Sequence, residues 1–396
     1  MLDAFDAMLY ALVLAYVMRD FGMSKATSGL LNTLTLLASG IGGVFFGFIA
    51  DHIGRKRALM LSILTYSICS FASGLSTSVL MLAVFRFVLG LGMGGEWNTG
   101  ATLVAETWPT ELRAKAISIV QSSWAIGYAL AALVAGIVLH YATWRMVFFV
   151  GILPALVTLW IRKDVPESEI WQEHHRLAQE SKRVALAQHD YKKHSFGRIF
   201  RPPYLKSTFA LLLMNFFGMF AWWGLFTWMP PYLSLPVEQG GRGFGVMGTT
   251  TLLVVLNLAG MFPGYASFGW VADRLGRRRA FILYTSCAAV LVPLYALARS
   301  PVALMIMGTL VAFFGTGFFS GSGIIASEIF PTTVRARALG FTYNGARTMS
   351  SIAPFVIGKV GQTKGLSWAF FLCGASFFLS MLVATRVPET KGKDLE

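Results

Sequence analysis

Charged side chains are scarce in this chain: they make up 13% of its 396 residues, against roughly a quarter in soluble domains. Apolar residues make up 55%, and the mean hydropathy is +0.62. These values exclude an ordinary soluble globular protein. Acidic residues are scarcer still, 19 against 33 basic ones, which leaves a net charge of +14. Cysteine is limited to Cys69, Cys287 and Cys373, all inside apolar stretches with no CxxC pair and no nearby histidine. That pattern argues against a disulfide scaffold and a thiolate metal site, and leaves the three as inert packing residues. There is also no nucleophile–base pair, no cluster of metal ligands and no histidine clearly inside an apolar run, so the sequence argues against an enzyme.

What the chain has instead is long apolar runs, each close to the ~20 residues that cross a hydrocarbon core. They fall near 2–18, 27–50, 58–76, 79–105, 116–139 and 146–161, and, after a polar stretch, near 207–233, 246–272, 280–299, 301–326, 338–360 and 367–385. In a soluble protein the positive charge would suggest nucleic acid; here it sorts by loop. Every second connection, together with the C-terminal tail, carries 24 of the 33 Lys and Arg residues. Basic loops face the cytoplasm, so both termini and the central loop are expected there. Asp3 and Asp6 precede only about a dozen apolar residues ending at Arg19, with no basic flank. This is unlike a signal peptide, and the first helix is expected to be cut short at its start.

The chain repeats itself. Gly47-Phe-Ile-Ala-Asp51-His-Ile-Gly54-Arg55-Lys-Arg57 recurs as Gly269-Trp-Val-Ala-Asp273-Arg-Leu-Gly276-Arg277-Arg-Arg279, an offset of 222. Glu106-Thr-Trp-Pro-Thr-Glu-Leu-Arg113 and Glu328-Ile-Phe-Pro-Thr-Thr-Val-Arg335 keep that offset, as do Val165-Pro-Glu-Ser168 and Val387-Pro-Glu-Thr390. One such block alone is as well explained by a basic loop. Three blocks at one offset indicate duplication of a six-helix unit, an arrangement that places a binding site at the midplane between the halves. The expected division is 1–161 for the first half, 162–206 for a central cytoplasmic loop and 207–396 for the second half.

These doubled motifs resemble the major facilitator superfamily over essentially the whole chain. The resemblance implies an all-α integral membrane fold of twelve transmembrane helices in two pseudo-symmetric six-helix halves, working as a secondary transporter by alternating access. It also implies that Asp51, Arg55, Glu106 and Arg113, and in the second half Asp273, Arg277, Glu328 and Arg335, form cytoplasmic ion-pair clusters that latch the halves together when the carrier opens outward. Leu2-Asp3-Ala4-Phe5-Asp6, Gly94-Gly95-Glu96-Trp97, Glu106-Thr-Trp-Pro and Trp144-Arg145-Met-Val-Phe-Phe-Val-Gly-Ile-Leu-Pro resemble the bacterial sialic-acid and aromatic-acid proton symporters. The implied setting is a bacterial inner membrane. The implied partners are a small organic anion, protons and the lipid bilayer, with no nucleic acid, no cofactor, no metal and a monomeric chain.

Ionisable groups inside spanning helices are costly and mark function by default. Five stand out: Asp3, Asp6, Arg86, Glu96 and Arg347. None has an ionisable counterpart at the 222 offset, so they are expected to serve the cargo while the duplicated charges serve the scaffold. Asp3, Asp6 and Tyr10 share one helix face. At ~1.5 Å per residue, Asp6 lies roughly 20 Å deep and Arg86 roughly 12 Å, within reach of a long guanidinium side chain. The pair reads either as a proton switch or as a fixed structural ion pair. Phe5-Asp6, and Arg86 followed by Gly90, Gly92 and Gly94, resemble motifs of proton-coupled sugar porters, with Ala4 where those have glycine.

Arg347 lies about 15 Å deep in the eleventh helix, preceded at four and three residues by Tyr343 and Asn344. A guanidinium flanked by a phenol and an amide suits bidentate capture of a carboxylate; the alternative is an internal counter-ion for Glu96 or Asp6. Glu96 reads equally as a proton-exit or gating group and as a structural partner. Tyr10, Gln121 and Trp223 complete the expected substrate set, with Phe220 as a further candidate wall. The glycine run 90–95 lies inside an apolar helix with no strand before it, so it reads as close helix packing rather than a phosphate loop, as do Gly43 and Gly47.

The competing classes are a sugar or polyol porter, a drug/proton antiporter and a non-transporting membrane sensor. Arg347 speaks against a neutral sugar, the fifth helix lacks the Gly-Pro element expected of drug antiporters, and both latch motifs are intact. The latch reading predicts that Asp51→Asn slows turnover while leaving substrate affinity nearly unchanged. Transport rates and equilibrium binding measured on the same preparation check this, and equal loss of both would refute it.

Overall fold

A backbone in hydrocarbon must satisfy its own N–H and C=O groups, and the described residues do so with helices alone. The structure is a computed structural model describing residues 1–107, 110–169, 171–173, 176, 199–330 and 338–391. For 97, 98, 101, 105, 106 and 110–118 the description covers the backbone only.

The first half runs α1 (Leu2–Phe21), α2 (Lys25–Ile53), α3 (Arg55–Gly74), α4 (Val79–Thr107), α5 (Thr110–Tyr141) and α6, which is broken into Trp144–Val150 and Leu153–Asp164. The second runs α7 (Leu205–Ser234), α8 (Val246–Val255, a π-turn Leu256–Met261, then Phe262–Leu275), α9 (Arg277–Leu297), α10 (Pro301–Ile329), α11 (a π-turn Gly340–Gly345, then Ala346–Ser350 and Ala353–Thr363) and α12 (Leu366–Ala384). By length and composition, nine of these are apolar enough to cross a membrane among the described residues. The other three are α1, α3 and α11. Four charges dilute α1, serines dilute α3, and a break at Ser351 and Ile352 interrupts α11.

Local chemistry sets the ends. The first helix stops where Gly22 takes a left-handed conformation at φ 62° and donates to the Met18 carbonyl. The Ser24 hydroxyl then accepts from the Thr27 N–H and starts α2, and Ser300 does the same for Ala303 ahead of α10, with Pro301 in the first turn. Outside and inside are inverted relative to a soluble protein. Val44, Phe48 and Leu80 face outward at 77%, 64% and 76% exposure, while Asn32, Asp6 and Arg86 are buried.

The duplication is visible atom by atom. Gly54 and Gly276 both sit at φ near +100° (103° and 104°), where a Cβ would be strained and would strike the carboxylate of Glu167 or Glu389. Those glutamates, at the 222 offset, accept from the first N–H groups of α3 and α9: Lys56 N at 3.0 Å from Glu167 Oε1, and Arg277 N at 2.8 Å from Glu389 Oε1. Asp51 pairs with Arg55 at 2.7 Å, and Asp273 with Arg277 at 2.8 Å. Arg277 also reaches Glu328 at 3.1 Å, and Glu328 in turn accepts from the Thr390 hydroxyl. Each of these contacts stays within its own half. Of the expected latch, the side chains of Glu106 and Arg113 and the whole of Arg335 lie outside the described residues.

The halves meet along two seams related by the repeat, α2 against α11 and α5 against α8, with α1 also against α7. The end away from the basic loops is closed. There Lys25 Nζ donates to the carbonyls of Gln239 (2.6 Å) and Gly361 (3.4 Å), Asn32 Nδ2 to Thr227 Oγ1 (2.9 Å) and Phe355 N to Thr33 Oγ1 (3.3 Å). Within the first half, Gly42, Gly90 and Gly94 bring α2 and α4 into backbone contact. Gly47 takes no part in this, contrary to the GxxxG expectation, because it faces open space.

Burial pushes the pKa of Glu389 up, but the N–H groups of Lys391, Thr390, Arg277 and Arg278 outweigh it and hold the carboxyl below its ordinary value. A depressed folded-state value contributes stability that is present above the unfolded value and lost as pH falls through the folded one. Glu389→Gln is therefore expected to lower stability by about 0.5–2 kcal/mol at neutral pH. The difference from the parent should vanish as pH falls below the ordinary glutamate range, as read from thermal unfolding midpoints in detergent.

Candidate functional site

Between the halves lies a cavity of about 310 Å³. It extends from Trp222 and Trp223, in the middle of α7, to Leu59, Leu103, Val104 and Ile161 at the basic-loop ends of α3, α4 and α6. Apolar side chains make most of its wall. The polar exceptions are Asp3, Glu96, Gln121, Tyr265, Tyr343 and Arg347.

Of the residues expected at the site, Asp3, Glu96, Gln121, Trp223, Tyr343 and Arg347 do line this cavity. Gln121 and Tyr343 are counterparts at the 222 offset, one from each half. Asn344 does not line it, and the π-turn Gly340–Gly345 explains why. Winding with i→i+5 bonds keeps residues four or five apart on one face and turns residues three apart away from each other. Tyr343 thus stays with Arg347 and Asn344 does not. Phe220 also falls outside the lining.

Tyr10, Asp6 and Arg86 lie behind the wall. The Tyr10 hydroxyl donates to the Ser28 carbonyl at 3.0 Å, and the Arg86 guanidinium carbon sits 4.9 Å from the centre of its ring. The Asp6 carboxylate accepts from Ser70 Oγ at 2.7 Å in a corner where a Cβ on Gly151 would collide with it. The direct Asp6–Arg86 pair expected from helix depth is not formed: all three Arg86 nitrogens and Asp6 Oδ2 have no hydrogen-bond partner among the described residues. Both side chains are fully buried. They interact electrostatically without direct contact.

Glu96 and Asp3 form a second acidic group, in the cavity wall itself. The Tyr66 hydroxyl lies beside Glu96 without hydrogen-bond geometry, and Asp3 is within 3.2 Å of the Met1 amine. Arg347 makes no ion pair or hydrogen bond with any described residue. It does not serve as a counter-ion to Glu96 or Asp6 in this conformation.

Several lining residues were not singled out from sequence: Trp124, Trp222, Tyr265 and Phe319. Trp222 packs edge to face against Trp223 (4.8 Å, 84°), Trp124 (6.0 Å, 62°) and Phe319 (5.5 Å, 90°), and its indole N–H donates to Thr316 Oγ1 at 3.2 Å. Trp124 is three residues beyond Gln121 on the same helix face, which is the signal that finds it. The Tyr265 hydroxyl lies against the Gln121 amide across the α5–α8 seam.

The Major Facilitator Superfamily profile matches residues 1–266 and 242–396. A cis,cis-muconate transport protein of Acinetobacter baylyi is 31% identical over 380 residues, covering 96% of this chain and 89% of that one. A sialic acid transporter of Escherichia coli is 31% identical over 396 residues, covering 98% and 91%. Among solved structures, a D-xylose–proton symporter superposes with a TM-score of 0.79 at 18% identity, covering 100% of this chain and 97% of that one.

Proposed function

This chain belongs to the Major Facilitator Superfamily, and from that premise we propose that it is a proton-coupled symporter of a small organic anion, a monocarboxylate, working by alternating access. The observation that carries this reading is Arg347: a guanidinium in the wall of the central cavity with no described partner. A charge at membrane depth costs about 2.5–3.5 kcal/mol on insertion scales, and a carboxylate docking on it offsets that cost. Relatives named for organic acids, muconate and sialic acid, support the same class.

In this mechanism the substrate carboxylate lies on Arg347, with Tyr343 and Gln121 meeting it from the two halves. The proton is carried by Asp6. When it is charged, Asp6 attracts Arg86; when it is neutral, Arg86 is released and the loaded carrier can rock. Asp3 and Glu96 share the cavity with the anion, and their protonation removes the repulsion that two carboxylates would exert on it. The duplicated clusters around Asp51 and Asp273 govern the rocking. With the basic loops and both termini in the cytoplasm of a bacterial inner membrane, the closed Lys25 end faces outward and the cavity opens inward. One chain holds one complete cavity, so the monomer is the working unit.

An acid pulse outside vesicles reconstituted with the protein is expected to drive uptake of the anion. Asp6→Asn should retain exchange of substrate across the membrane yet lose pH-driven accumulation; accumulation at parental levels would remove Asp6 from the coupling. Arg347→Gln removes charge-assisted hydrogen bonds and is expected to weaken anion binding on the order of 10- to 100-fold. Unchanged affinity in calorimetry would end the carboxylate assignment.

A further inference from the structure

We propose that the cavity selects a flat, conjugated carboxylate about one ring in size over a saturated or polyhydroxylated acid, and that Trp124 and Phe319 are the residues that impose this choice. This rests on the reading of Arg347 as the carboxylate's partner and specifies what the rest of that substrate is.

The argument begins with the walls. Trp222 is 1% exposed and stands at the centre of an aromatic corner, with Trp124 of α5 and Phe319 of α10 on either side, their ring centres 6.0 and 5.5 Å from its own. Trp124 belongs to the first half and Phe319 to the second, and both are only partly buried, so part of each ring is open to the cavity. Trp222 is fixed behind them by its bond to Thr316 and by Phe226 at 4.9 Å. Rings held at steep angles to one another present both faces and edges. A flat π-system gains from offset or edge-to-face contact with such a corner beyond what its buried area supplies, and a puckered ring of the same size does not.

Hydrogen-bonding capacity points the same way. The Trp222 N–H is engaged by Thr316, and the Trp124 N–H is buried with no access to a partner. The Gln121 amide lies against Tyr265, and Asp3 and Glu96, protonated when the anion is bound, add only one donor each. Apart from Arg347 and Tyr343, the wall offers few free donors. Each hydroxyl of a polyol left unpaired here is expected to lower affinity on the order of tenfold. Volume is not the discriminator, because 310 Å³ is ample for either kind of acid; wall chemistry is.

The test uses the full chain in detergent and three acids of equal charge: benzoate, cyclohexanecarboxylate and N-acetylneuraminate, with binding read by calorimetry. Benzoate is expected to bind on the order of tenfold tighter than cyclohexanecarboxylate, and N-acetylneuraminate more weakly than both. Phe319→Leu and Trp124→Leu should each bring the affinity for benzoate closer to that for cyclohexanecarboxylate. Equal affinity for benzoate and cyclohexanecarboxylate, tighter binding of N-acetylneuraminate, or no benzoate binding at millimolar concentration overturns the proposal. Arg347→Gln separates the two readings. Acid binding that depends on Arg347 but shows no flat-ring preference leaves the carboxylate assignment standing and removes this one. Benzoate affinity unchanged by Arg347→Gln, with the flat-ring preference intact, removes the carboxylate assignment instead.

Discussion

A hydrocarbon solvent accepts no hydrogen bond and stabilises no charge, and most of this molecule is a response to that deficit. Its regular structure is helical throughout the described residues, and several buried hydroxyls bond back to carbonyls of their own helices, as Thr35 does to Leu31 and Thr285 to Phe281. Its spanning charges are turned inward. Asp6 leans on a serine, Arg86 on the face of Tyr10, and Arg347 lines the cavity with no ion pair or hydrogen bond to a described residue. Three inward-facing ionisable groups, two of them fully buried and each incompletely compensated, are what a static scaffold would avoid and a working carrier would need.

The same constraint explains how much could be read before any coordinates. Apolar runs of membrane length are unavoidable in such a chain, so the twelve helices were visible as composition. The duplicated loops around Asp51 and Asp273 were visible because their glycines, arginines and glutamates answer to exact backbone geometry: Gly54 and Gly276 adopt the same unusual φ, and Glu167 and Glu389 accept from equivalent amides. The site was only partly legible. Arg347, Tyr343, Gln121 and Glu96 stood out as polar groups in apolar text. Trp124, Trp222 and Phe319 did not, because an aromatic at helical spacing reads as packing whether or not a cavity lies beside it. Asn344 misled for a different reason, since the π-turn before Arg347 breaks the 3.6-residue period on which the expectation rested. The partner of Asp6 was hidden as well: Ser70 is 64 residues away, and only the packing of α1 on α3 brings the two together.

Duplication divides the labour. What both halves kept is the machinery of ion pairs and helix caps at the basic-loop end, closed within each half in this conformation. Part of what they did not keep in common lines the cavity: Gln121 answers to Tyr343, Glu96 to Phe318 and Arg347 to Ala125. A site at a pseudo-symmetry axis is thereby made polar in one direction, with its cation and its aromatic corner supplied mainly by the second half and its acids by the first.

The seam at the closed end differs in composition from the clusters at the other. Its cross-half contacts join an amine, amides, hydroxyls and carbonyls, through Lys25, Asn32, Thr33 and Gln362, and none of them is a carboxylate. A fastening of that kind holds with the same strength across the interval in which carboxylates and imidazoles change charge. Acidification on that side of the molecule therefore leaves these contacts as they are.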